Sequence, residues 1–351
     1  MSKNYDDYKP INPAPPRKRR NPLLAWVQYA IIILLILSLV LSGTYFIVSH
    51  MNESGGRPPL DNPVLDTNKN NDTTKDDSQT EPDNQPVTPP EDAIKYVEID
   101  VSKAEINKGS LILVNGDHRV VYPAAGELAR FDGNKSNTYV MSMNGMLVNV
   151  IALSPINNLF DAFSAATGKN NVTIWTSYRD AARQAAVYDA YVNGNDDPTA
   201  RAGSSDHNTG LGIVLVVQVN GVWKSVKECG AEYSWLIENA HKYGFIERHP
   251  DDKIDITGLD YSQRYYIRYV GVAHSEYMKK NNLCLEEYIN VLKGYPHGTN
   301  LEFTTDDGTE YSIYYVNGMV EGDTVKVPVP EGKEYSISGN NVDGFVVSFK
   351  K

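Results

Sequence analysis

The sequence predicts an α+β fold, on three observations. Strand-like alternation and helical spacing are interleaved between residues 93 and 297. Short alternating strands divided by glycine turns fill the chain beyond that point, and a long apolar run with a polar, proline-rich stretch precedes both. A chain of 351 residues leaves one or two proper cores once the non-globular parts are set aside. The expected layout is a basic tail at 1–22, a membrane-spanning helix at 23–48, a disordered spacer at 49–92, a mixed domain at 93–297 and a small all-β unit at 298–351.

Residues 23–48 are apolar almost throughout, interrupted only by Gln28, and are long enough as a helix to cross a hydrocarbon core of about 30 Å. A cleaved signal peptide is the competing reading. No small-residue cleavage site follows the run, where Ile47, Val48 and His50 stand, and an uncleaved anchor is preferred. Arg17, Lys18, Arg19 and Arg20 abut its N-terminal side, which keeps that end cytoplasmic and sends the rest of the chain outside. The following stretch of Asn, Asp, Thr, Pro and Lys buries too little to offset the entropy of ordering.

Order is expected from about residue 93. Residues 96–101 alternate as a strand, 111–114 form a second apolar run ended by Asn115-Gly116, and 139–141 precede another. Over 155–167 the spacing predicts a helix with Leu159, Phe160 and Phe163 on one face, stopped by Gly168. Val172, Ile174 and Trp175 make a strand leading to Ser177-Tyr178-Arg179, and Asp180 is placed to cap an alanine-rich helix reaching Val192. Residues 212–219 are apolar on both parities, which suits a strand buried on both faces. Helices follow at 235–243, ended by Gly244, and at 285–292, with strands at 310–316, 324–329, 334–338 and 344–349.

The chain carries 33 Lys and Arg against 44 Asp and Glu, and its first 20 residues hold six of the former and two of the latter. The exterior part is thus strongly acidic, which gives no support to nucleic-acid binding and is explained by a solubilising surface. Cys229 and Cys284 are too few for a disulfide framework, and the sequence leaves open both a single pairing and two buried free thiols.

Residues 203–214 read GSSDHNTGLGIV and residues 262–271 read SQRYYIRYVG. Around them, in order, stand Ser177-Tyr178-Arg179 with Gln184, then Trp235-Leu236, Asn239-Ala240, Tyr243-Gly244-Phe245-Ile246 and Ile256-Thr257-Gly258. From residue 93 to Pro296 this pattern resembles the VanY-type D-alanyl-D-alanine carboxypeptidases, whose motifs are S-E-H-x-x-G-x-x-x-D and E-P-W-H-x-R-Y-V-G. The resemblance implies a central antiparallel sheet with flanking helices, and a cleft where family members trim D-alanine from peptidoglycan stem peptides with zinc. It also implies roles for Arg179, as holder of a substrate carboxylate or oxyanion, and for Gln184 and Ser205 as pocket-lining groups. A structural ion-pair role for Arg179 is the alternative.

Of the family's three zinc ligands and catalytic glutamate, only His207 remains. Val214 stands for the aspartate, Tyr266 for the second histidine and Gln263 for the glutamate. Counting from Ile256-Thr257-Gly258 instead puts Tyr265 and Ser262 at the last two positions, and either register loses both groups. Catalytic zinc needs three protein ligands and a carboxylate to take the proton of its water. Valine has no lone pair, a phenol with a pKa of about 10 is a poor substitute for imidazole at neutral pH, and glutamine takes up no proton. No metal or other cofactor is therefore expected. Rescue would require Asp206, His249 or His274, the last two expected as packing or surface histidines. Tyr261, Tyr265 and Tyr266 are read as core packing rather than an aromatic platform.

The expected function is that of a membrane-anchored extracellular pseudoenzyme of the cell envelope that binds stem peptide or a protein partner. The alternative is an active D-alanyl-D-alanine carboxypeptidase with a rearranged metal site.

Overall fold

The computed structural model describes residues 94–194 and 198–351; the predicted basic tail, apolar span and spacer lie outside them. Among the described residues no helix is long and apolar enough to cross a membrane.

The described chain opens with β1 (Tyr96–Ser102), then an irregular stretch, β2 (Leu128–Arg130), β3 (Val140–Met141) and β4 (Leu147–Asn149). Residues 111–114, predicted as a strand, are buried but irregular. Their backbone groups are satisfied by partners outside any ladder. Arg268 donates to the Ile112 carbonyl at 2.7 Å, Asn341 to that of Leu113 at 2.8 Å and Arg248 to that of Val114 at 3.2 Å.

Helix α1 (Val150–Thr167) starts five residues before the sequence-predicted helix, because Asn149 caps it by accepting from the Ile151 amide. Its end is as predicted: Gly168 is left-handed, with φ at 71°. Strand β5 (Val172–Thr176) leads to α2 (Ala181–Val192), which Asp180 does cap by accepting from the Arg183 amide. Then come β6 (Gly212–Val219), β7 (Val222–Ser225), α3 (Ala231–Asn239) and β8 (Phe245–Glu247). They are followed by the single-turn α4 (Ile254–Thr257), β9 (Tyr265–Tyr269), α5 (Val272–Lys280) and α6 (Leu285–Leu292). The chain ends in β10 (Leu301–Thr304), β11 (Glu310–Asn317), β12 (Thr324–Pro330), β13 (Tyr335–Gly339) and β14 (Gly344–Lys350). The fold class is thus α+β.

The main sheet runs β3-β5-β6-β9-β8, with β7 also on β6. Its pairs are antiparallel except β3 with β5. Strand β6 is its centre, and residues 212–217 are buried throughout. One face packs Ile213, Leu215 and Ile267 against Leu159, Phe160 and Phe163 of α1. The C-terminal strands form the sheet β10-β11-β14-β13, while β12 pairs with β1. They are not packed alone: Leu301, Ile313 and Val346 share a cluster with Leu285, Ile289 and Leu292 of α6. Both cysteines are free.

Candidate functional site

The site forms where the turn after β5 meets the approach to β6. A 3-10 turn at Asp206–Thr209 is capped by the Ser205 hydroxyl, which accepts from the His207 amide at 3.3 Å. The Arg179 amide donates to the His207 carbonyl at 2.9 Å and the Asn208 side chain to the Arg179 carbonyl at 2.7 Å. These bonds lock the two segments together.

His207 is fully buried. Its Nδ1 lies 2.8 Å from the Ser177 carbonyl, which can only accept, so Nδ1 carries the proton and Nε2 keeps its lone pair. Nε2 has no hydrogen-bond partner. Burial first, then the nearby Arg179 charge, hold this imidazole well below the usual histidine range, while the Ser177 carbonyl pulls the other way.

The Tyr266 ring lies on the His207 ring, 4.5 Å between centroids and 15° from parallel. Tyr266 and Val214 are direct partners across β9 and β6, and both belong to a small cluster with Tyr261. Tyr265, one residue away, turns into the main core and donates to the Leu236 carbonyl at 3.3 Å. The pleat therefore puts Tyr266, not Tyr265, at His207. Gln263 is exposed in the turn before β9, and Ser262 bonds Asp260 at 2.7 Å.

A cleft of about 580 Å³ opens beside this stack, walled in part by Tyr188, Tyr191, Asp206, His249, Tyr261 and Tyr266. Of the groups expected to bind ligand, Ser205 lines it. His207 sits behind Tyr266, and Gln184 is fully buried, giving its amide to the Thr199 hydroxyl at 3.0 Å and the Ala200 carbonyl. Arg179 is half-buried and donates to Thr176 at 3.2 Å and Gln184 at 3.3 Å.

Beneath the cleft lies a buried charge network that the motifs did not single out. Arg248 donates to Asp206 and, in a fork at 2.8 and 3.1 Å, to Glu286. Arg268 stands 3.0 Å from Asp206, an ion pair without hydrogen-bond alignment. Burial works against the Arg248 charge, but Asp206 and Glu286 hold it above the ordinary arginine range. Nothing in the local sequence marks Arg248, whose partners lie 42 and 38 residues away.

The rescue candidates are placed as follows. His249 packs against Tyr261 and Tyr266, at 5.4 and 5.7 Å between centroids. Burial, then Arg248, hold it well below the usual histidine range. His274 lies in α5, bonded at 2.7 Å to the Tyr288 hydroxyl, with its pKa lowered by burial to about 4. Asp206 is engaged by two arginines.

Among the described residues no three His, Cys, Asp or Glu side chains come together to hold a metal ion. The side chains at the stack do not fit zinc: one imidazole, a valine that offers no donor atom, and a phenol that burial and Asp206 keep well above its usual pKa.

Comparison with known proteins gives the site its context. The chain is 31% identical over 259 residues to a D-alanyl-D-alanine carboxypeptidase of Enterococcus faecium, spanning 71% of this chain and 77% of that one. The chain belongs to the VanY D-alanyl-D-alanine carboxypeptidase family. The family's own model, D-alanyl-D-alanine carboxypeptidase, matches residues 146–272, which take in β6, β9 and the His207 turn. A D-alanyl-D-alanine carboxypeptidase of Enterococcus faecalis is 29% identical over 198 residues, 52% of this chain and 67% of the other. Among solved structures, the vancomycin resistance D,D-dipeptidase VanXYg, in complex with a D-Ala-D-Ala phosphinate analog, superposes with a TM-score of 0.63 at 28% identity. That match covers 73% of this chain and 100% of the other.

Proposed function

We propose that this VanY-family protein binds the D-alanyl end of peptidoglycan stem peptides outside the cell without zinc-dependent hydrolysis. The observation that carries the reading is the Tyr266 ring stacked on the lone imidazole of His207 opposite Val214, beside a cleft that stays open. A site with one ligating imidazole does not activate water, yet a cleft of this size, lined by Arg119 and Arg201 as well as by its tyrosines, still suits a peptide ligand. Its relatives are named for D-alanyl-D-alanine chemistry, and the solved dipeptidase holds a D-Ala-D-Ala analog, which supports a stem peptide as the partner. The apolar run at residues 23–48 and the basic cluster before it support a single-pass anchor with a cytoplasmic N-terminus.

Isothermal titration of the full chain with a D-Ala-terminated stem peptide tests this. The reading expects saturable heat with wild type and weakened binding by Arg179→Ala, whose guanidinium helps order the site. Absence of heat with both proteins would reject stem-peptide binding and leave an envelope protein as the partner.

A further inference from the structure

The cleft has a positive side that the buried charge network does not neutralise. Arg119 and Arg201 both line it, and both are exposed. The segments that carry them are strapped together: the Val120 amide donates to the Gly203 carbonyl at 2.8 Å, and the Arg119 Nη2 donates at 2.6 Å to the carbonyl of Ala202, one residue from Arg201. Gly203 permits this approach, since its backbone is left-handed, with φ at 84°, and a Cβ there would meet the Arg119 Nη2 at 2.8 Å. Arg201 is steadied from α2. Its Nε donates to the Tyr188 hydroxyl at 3.0 Å, and its guanidinium carbon lies 5.5 Å from the centre of that ring.

Each guanidinium thus gives one N–H to a neutral oxygen, and among the described residues neither is paired with a carboxylate. Their other N–H groups face solvent and stay available to a ligand. Of the two aspartates that line the cleft among the described residues, Asp206 is held by Arg248 and Arg268, so Asp117 alone stands against the two arginines. In a chain whose formal net charge is −11, the cleft therefore carries a local excess of positive charge, which draws an anion. A planar guanidinium fork matches a carboxylate at two points, which a lysine would not do. Arg179, to which the family resemblance gives that task, turns its donors to Thr176 and Gln184 instead.

We propose that Arg119 and Arg201 together clamp the C-terminal carboxylate of the bound peptide at the rim of the cleft. The assignment rests on the proposed peptide binding and names the groups that recognise its charged end. The probes are Lys-D-Ala-D-Ala with both amines acetylated, as free acid and as C-terminal carboxamide, so that they differ by one charge. Each is titrated calorimetrically into the full chain. Wild type is expected to bind the acid about tenfold tighter than the carboxamide. Arg119→Gln and Arg201→Gln are each expected to bring that ratio down to about two, and raising sodium chloride from about 0.05 to about 0.5 M lowers it in wild type. Equal binding of the two probes by wild type overturns the clamp and leaves peptide binding standing. Variants that keep the wild-type ratio overturn it too, even where both affinities fall, because the loss is then one of cleft shape and not of charge recognition. If neither probe binds wild type, the clamp and the proposed function fall together.

Discussion

At the residue scale, the buried charges under the cleft carry more consequence than the motif residues above it. Arg248 is fully buried and ties the His207 turn to α6 through Asp206 and Glu286. Removing one partner of such a network leaves uncompensated buried charge. Arg248→Ala is expected to cost about 3–5 kcal/mol in urea unfolding, whereas an exposed pair such as Lys326 with Asp100, screened by solvent, contributes little. An Arg248→Ala loss below about 1 kcal/mol would show the network to be solvated and of little structural weight. Motif spacing located His207, Val214 and Tyr266 in the sequence because those residues replace others in a fixed frame. Arg248 and Glu286 were illegible, since a charge pair separated by 38 residues leaves no local pattern. Gln184 and His207 stand out in the motifs, but their burial does not: it is set by Tyr266, the Thr199 hydroxyl and the Ala200 carbonyl, none of which a motif describes.

At the element scale, the pairing of β6 with β9 organises the site. Gly212 stands opposite Arg268 in that ladder, and a Cβ there would meet the Tyr266 hydroxyl at 2.4 Å and its ring at 2.6 Å. The glycine is thus what lets the phenol lie on the imidazole. Gly212→Ala is expected to cost about 1–3 kcal/mol by overpacking. In a Tyr266→Ala background the same change is expected to gain about 0.5–1 kcal/mol, because alanine is the better strand residue once the ring has gone. A double-mutant cycle of unfolding free energies checks both values, and additivity would contradict the contact. Strand β6 was legible from its unbroken apolar run. Strand β9 was not singled out, because Arg268 interrupts the pattern and is accommodated only by Asp206 and the Ser110 and Ile112 carbonyls. For the same reason residues 111–114 read as a strand: their apolar side chains are buried as expected, but their carbonyls serve arginines instead of a neighbouring strand.

At the scale of the whole molecule, the C-terminal strands and the preceding helices share one interior. Leu301, Ile313 and Val346 pack with Leu285, Ile289 and Leu292, and β12 supplies the pairing partner of β1. Deleting residues 298–351 is therefore expected to unfold the remainder, read as loss of near-UV circular dichroism and of a cooperative melt. A truncated chain that melts as the full one does would contradict a shared core. The β texture of this region was plain in its alternation and glycine turns. Its attachment was not, because partners more than 200 residues apart, such as Val101 and Val325, have no sequence signature. The donor set at His207 decides between a binding cleft and a metallopeptidase, and zinc content distinguishes them most directly. The purified full chain, equilibrated with zinc, dialysed and analysed for metal while D-alanine release from a pentapeptide is followed, is predicted to retain far less than one zinc per chain and to release no D-alanine. One tightly held zinc per chain with chelator-sensitive release would contradict it.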